Sequence, residues 1–124
     1  MKKFDTGILD ALNKECRGEP INFVGLGAHN FQLSFGGLQQ IQTEEKAAFL
    51  LNEKSYTWSE GPTEVPVWLL VGQTPISFRL PDPFTLRMCL KSGDFVEFYT
   101  AQHEYESTVI NFGEKEGMRV VKVF

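Results

Sequence analysis

His103-Glu104-Tyr105-Glu106 is the one run of titratable side chains in this sequence that invites a mechanism. An imidazole titrating near neutrality is the usual general base, and a carboxylate beside it can orient the ring or share a metal. On a strand, however, Glu104 and Glu106 take one face and His103 the other, which scatters ligands instead of gathering them. The other histidine, His29, lies far off in the chain, and the two cysteines, Cys16 and Cys89, stand alone with no CxxC or other metal-ligand spacing. GxGxxG, Walker, GxSxG and HExxH patterns do not occur, and Gly25-Leu26-Gly27 does not complete a nucleotide fingerprint. The expectation is a protein without catalytic machinery, cofactor or metal, in which His103 belongs to a solvated lead into a strand or to a partner contact.

The same region gathers negative charge. Asp82, Asp94, Glu97, Glu104 and Glu106 fall within 25 residues of one another, diluted by Arg87 and Lys91. Together with His103 these acids are the candidate partner-binding residues, because an acidic surface can meet a basic cleft and speed association. The competing reading is that they dress exposed strand faces and loops and block edge pairing. The formal charge of −4 argues against a nucleic-acid ligand, which needs a basic surface, and is compatible with a basic protein partner. Cys16 and Cys89 read as reduced packing residues, which suits the cytoplasm. Met1-Lys2-Lys3 opens like a signal peptide but lacks the apolar run that must follow, and no stretch approaches the length of a membrane span.

These residues need a scaffold, and its centre is the stretch from Phe84 to Phe112. Phe84, Leu86, Met88 and Leu90 alternate with Thr85, Arg87 and Cys89, a period of two that puts four apolar side chains on one strand face. Lys91-Ser92-Gly93 suits a three-residue hairpin loop with glycine in the left-handed region. That loop sets Leu90 opposite Asp94, Met88 opposite Val96 and Leu86 opposite Phe98, so that apolar faces meet. A slip of one residue would turn Val96 and Phe98 into water. Tyr105 to Phe112 reads as the next strand of a meander, with either Thr108, Ile110 and Phe112 or Tyr105 and Val109 facing inward.

Elsewhere the pattern is mostly β. At 124 residues, 42% apolar and 23% charged, with eleven phenylalanines, the chain is one domain with an aromatic strand core. Asp5 or Thr6 caps an N-terminal helix with Ile8, Leu9, Leu12 and Cys16 inward and Asp10, Asn13, Lys14 and Glu15 outward; Gly18 ends it and Pro20 forbids its return. One such helix is marginal alone and must lie on a sheet. Ile21 to Gly27 starts the β region. Asn30 to Phe35 alternates, Gly36-Gly37 turns, and Leu38 to Gln42 returns as a glutamine-rich strand placed near a sheet edge. Residues 44–58 read as helix or hairpin, and the hairpin around Asn52-Glu53-Lys54 is preferred because Tyr56, Thr57 and Trp58 favour strands. Val65 to Gly72 is either one helical turn or a short strand, since Pro66 bars a central strand. Ile76 to Leu80 leads into the central hairpin. Met118 to Phe124, apolar on both faces, reads as a central or covered strand.

Val24-Gly25 and Val71-Gly72 lie at the same offset as Asn30-Phe31-Gln32-Leu33 and Ser77-Phe78-Arg79-Leu80. This echo suggests two related units, 20–60 and 66–112. The fold class is therefore α+β, mostly β: antiparallel meander sheets, as a sandwich or a bent sheet, with one N-terminal helix. The run Leu86-x-Met88-x-Leu90-x-Ser92-Gly93-x-x-Val96-x-Phe98, followed by Tyr105-Glu106-Ser107 and Ile110, resembles a family of small bacterial proteins similar to immunity proteins encoded beside secreted toxins. The resemblance implies a β-rich α+β domain that neutralises a cognate toxin without catalysis, by occluding its active site. A small-ligand-binding β domain, with the aromatic sheet curled around a pocket, is the alternative.

Overall fold

The computed structural model describes residues 3–59, 63–100 and 107–124, with the backbone alone at Gln39. One helix, α1 (Thr6–Glu15), precedes ten strands: β1 (Ile21–Leu26), β2 (Phe31–Phe35), β3 (Leu38–Thr43), β4 (Ala47–Leu51), β5 (Lys54–Trp58), β6 (Pro75–Asp82), β7 (Thr85–Leu90), β8 (Phe95–Tyr99), β9 (Thr108–Lys115) and β10 (Met118–Val123). A 3-10 turn, Val67–Leu70, lies between β5 and β6. The strands form two antiparallel five-stranded sheets, ordered β1-β2-β3-β9-β10 and β5-β4-β8-β7-β6. The fold is α+β and mostly β, as the alternation implies. Among the described residues, no helix is long and apolar enough to cross a membrane.

The central hairpin has the expected register. Leu86 faces Phe98 and Met88 faces Val96. Gly93, at φ 96°, closes the loop with its N–H on the Leu90 carbonyl at 3.0 Å. A side chain there would be strained, which is why the loop takes glycine. The two sheets face each other across a core of alternate residues. Phe31, at one end of β2, meets Phe49 of β4 edge-on at 5.2 Å, Phe98 of β8 at 6.0 Å and Trp58 of β5 at 6.3 Å. Phe35, four residues on, stacks with Phe78 of β6 at 5.9 Å. A strand that begins over β4 and β5 and ends over β6 runs across the strands of the facing sheet.

Several expectations change. Tyr105 to Phe112 does not extend the meander beside β8. That position belongs to β4, and the chain crosses back so that β9 lies between β3 and β10 in the first sheet. Its buried face is Thr108, Ile110 and Phe112. β3 is the middle strand of its sheet, not an edge: Gln40 and Gln42 lie on the outer face and hydrogen bond to each other at 3.0 Å, so their polarity marks a face and not a margin. Conversely β10 is an edge strand, with Val121 and Val123 exposed, because its alternate residues have no layer over them. The β4–β5 turn is two residues, Asn52-Glu53, both at positive φ, and Leu51 pairs with Lys54. Val65 to Gly72 holds the 3-10 turn. The echoed stretches 20–60 and 66–112 are not the two sheets: the first supplies strands to both, and Val24-Gly25 sits in β1 whereas Val71-Gly72 sits in a turn.

Asp5 caps α1, accepting from the Ile8 N–H at 2.8 Å, and Ile8 and Leu12 are buried. The helix borders edge strand β6. Asn13 accepts from the Phe78 N–H at 2.7 Å and donates to the Phe78 carbonyl at 3.4 Å, so a side chain replaces the missing neighbour of edge strand β6. Glu15, expected outside, is only 4% exposed. Its carboxylate is held by Lys115 of β9 at 2.9 Å, and a Cβ at Gly37 would come within 2.9 Å of its Oε2. Glu15 thus ties the helix end to the end of β9 and lies close against the β2–β3 turn. Phe31→Ala empties the place where four strands meet, and is expected to cost about 3–5 kcal/mol of unfolding free energy by urea denaturation.

Candidate functional site

Of the acids singled out in the sequence, Asp82, Asp94 and Glu97 are occupied within the fold. Asp82 ends β6, where its carboxylate accepts from the Phe84 N–H at 2.8 Å and the Thr85 hydroxyl at 3.1 Å. Glu97 accepts from Arg87 Nε at 2.9 Å and lies 2.8 Å from its Nη2, while Arg87 also stacks over the Phe95 ring at 4.4 Å. The Tyr99 hydroxyl donates to the other Glu97 oxygen at 3.1 Å. Asp94 is 8% exposed. Asp82 and Asp94 sit at opposite ends of β7, roughly 17 Å apart at the rise of a strand. The three do not converge on one surface. His103, Glu104 and Glu106 lie outside the described residues.

Asp94 instead builds a platform at one end of the molecule. Its Oδ1 accepts from the Asn52 N–H at 3.1 Å, in the β4–β5 turn, and its Oδ2 from Gln73 Nε2 at 3.1 Å, on the link into β6. Ser92 donates to Gln73 Oε1 at 2.6 Å and accepts from the Asp94 N–H at 3.2 Å, and the Lys91 N–H reaches the Thr74 carbonyl at 2.9 Å. The link is pinned from its other side by Ile21 of β1, which exchanges hydrogen bonds with Gly72 and Gln73 at 2.9 and 2.8 Å. Gly72 makes this reversal at φ 92°. Two hairpin turns, one link and one edge strand are thereby fixed by charge-assisted and backbone hydrogen bonds.

The platform carries the 3-10 turn. With three residues per turn, Leu70 points inward and is fully buried, and Trp68 and Leu69 point away. Trp68 is 66% exposed, flanked by exposed Leu69 and Val71. A polar recess of about 420 Å³ lined by Gln73, Lys91, Ser92 and Asp94 lies on the same platform. An aromatic side chain held out on a rigid base, next to hydrogen-bonding groups, has the composition of a protein-binding surface. In the sequence Val65 to Gly72 reads only as a helical turn or short strand. Its signal was an apolar run with a tryptophan, too short for a helix and broken by Pro66 and Gly72.

Burial, with Cys89 and Glu15 close by, pushes the Cys16 thiol up to about 11, so it stays protonated near neutrality. Among the described residues no group of three or more His, Cys, Asp or Glu could hold a metal ion. No family model matches the chain, and no curated protein or solved structure matches it.

Two outcomes test this account. Asp94→Ala strands the donors of Asn52 and Gln73 and is expected to cost about 1–3 kcal/mol in urea unfolding, with faster amide exchange at Asn52. Burial, the Glu97 charge and the hydrogen bond to it push the Tyr99 phenol up to about 12, from an ordinary 10. The folded state therefore holds this proton more tightly, and the resulting stability is full below pH 10 and is lost as pH rises to 12. Unfolding midpoints of wild type and Tyr99→Phe compared across that window are expected to show the wild type losing more.

Proposed function

We propose that this chain is a non-catalytic binding protein of the immunity type, which neutralises a cognate bacterial toxin in the cytoplasm by occluding its basic active site. The observation that carries the reading is Trp68, two-thirds exposed on a platform that hydrogen bonds hold rigid. Large aromatic side chains contribute most of the binding energy in protein interfaces, and a pre-ordered base spares the entropy of fixing them. Leu69 and Val71 extend the apolar contact, and the polar recess supplies a rim.

The net charge of −4 acts in this reading through the field of the whole protein, which draws a basic partner in from solution. Asp82, Asp94 and Glu97 serve that field while bonded within the fold, and His103, Glu104 and Glu106 are proposed as further partner contacts. The run from Leu86 to Phe98 that carries the resemblance to immunity-like proteins forms the β7–β8 hairpin.

The test is co-expression with the toxin domain encoded beside the gene. The chain is expected to restore growth and to bind that domain directly. Trp68→Ala is expected to weaken binding by about 2 kcal/mol, roughly 30-fold, by calorimetry. Met118→Ala, an equally exposed apolar site on β10, is expected to leave it unchanged. Binding that ignores Trp68→Ala overturns the docking surface, and failure to protect against the neighbouring toxin overturns the function.

A further inference from the structure

A groove runs between α1 and the β9–β10 hairpin, sharing no residue with the turn platform. A cavity of about 410 Å³ opens between the helix and Phe112, Val120 and Lys122. A second, of about 310 Å³, reaches on to Phe124 and shares Gly7, Ala11 and Lys122 with the first. Gly7 and Ala11 lie one turn apart on the same helix face, so the middle of the wall facing the hairpin is low, with Asp10, Lys14, Glu15 and Arg17 around it. Small residues here leave a trough where larger ones would fill it.

The charges around this trough run against those of the chain. Lys14, Arg17, Lys115 and Lys122 line the first cavity with Asp10 and Glu15, and Asp5 joins Lys122 in the second, so four cations face three carboxylates in a chain that is −4 as a whole. Buried Glu15 takes up Lys115 at 2.9 Å and has Arg17 at 3.5 Å. Arg17 also donates to the Lys14 carbonyl at 3.2 Å. Those contacts fix two cations to the wall. Lys14 and Lys122 have no ion-pair partner among the described residues, and Lys122 stands where the two cavities join. The floor between them, Phe112, Val120 and Ala11, is apolar.

From this juxtaposition we infer that the groove binds a small amphipathic anion: a carboxylate on an alkyl chain, its head between Lys14 and Lys122 and its chain along Gly7, Ala11 and Val120. An apolar trough with two lysines, unpaired among the described residues, on its first cavity complements that chemistry. A bare inorganic anion would leave the floor wet, and a neutral or cationic chain would leave the lysines unpaired.

Calorimetry on the full chain with octanoate is the test, set against octanamide, acetate and octylammonium at one ionic strength. Octanoate is expected to bind saturably, with octanamide and acetate each weaker by about tenfold or more, because one lacks the charge-assisted hydrogen bonds and the other the buried methylenes. Lys14→Gln combined with Lys122→Gln is expected to weaken octanoate about tenfold and leave octanamide unchanged. Ala11→Phe is expected to abolish binding by filling the trough; if that variant does not fold, the surface lysine pair still decides. Octanamide or octylammonium binding as well as octanoate, acetate matching it, indifference to the lysine substitutions, or no saturable heat up to about 10 mM would each overturn the assignment.

Discussion

Everything in this molecule hangs on the crossing at Phe31. Its ring touches β4, β5 and β8 at once, and its own strand carries Phe35 over to β6. A crossed pair of sheets buries its largest side chains where strands overlap and leaves corners that something else must close. α1 closes one of them, with Asn13 bonded to the open edge of β6 and Phe4 packed on Phe124 at 4.9 Å. The trough beside the helix and the platform at the strand ends are both consequences of that geometry.

Polar residues in this fold are structural far more often than their sequence positions suggested. Asp94 ties turns together, Asp82 caps a bend, and Glu97 belongs to a group with Arg87, Tyr99 and Phe95. A carboxylate is the strongest acceptor available to a loop whose N–H groups have no strand partner, so acids gather where chains turn. The candidate binding surface is instead apolar and aromatic.

What could be seen in the sequence was what depends on neighbours close in the chain. The alternation of Leu86, Met88 and Leu90 around Lys91-Ser92-Gly93 specified a hairpin down to its register, and Asp5 before Ile8 and Leu12 marked the helix. Which sheet a strand joins was not visible. β9 pairs with β3, and Thr108 bonds to Thr43 across 65 residues, which no local pattern encodes. The glutamines of β3 and the valines of β10 misled for the same reason: composition reports what covers a face, and a strand can be polar at the centre or apolar at the margin. The tryptophan site was hidden because an exposed Trp68 and a buried Leu70 look alike until the 3-10 turn separates them. The groove was hidden because Lys14 and Lys122 meet only in space.

The threading of the chain has a consequence for its birth on the ribosome. The second sheet is drawn from one unbroken stretch, Ala47 to Tyr99, whereas the first needs β1 to β3 and then β9 and β10 from the far end. Synthesis therefore delivers the second sheet complete while the first still lacks β9 and β10. Closure of the first sheet is therefore a long-range event, governed by loop entropy.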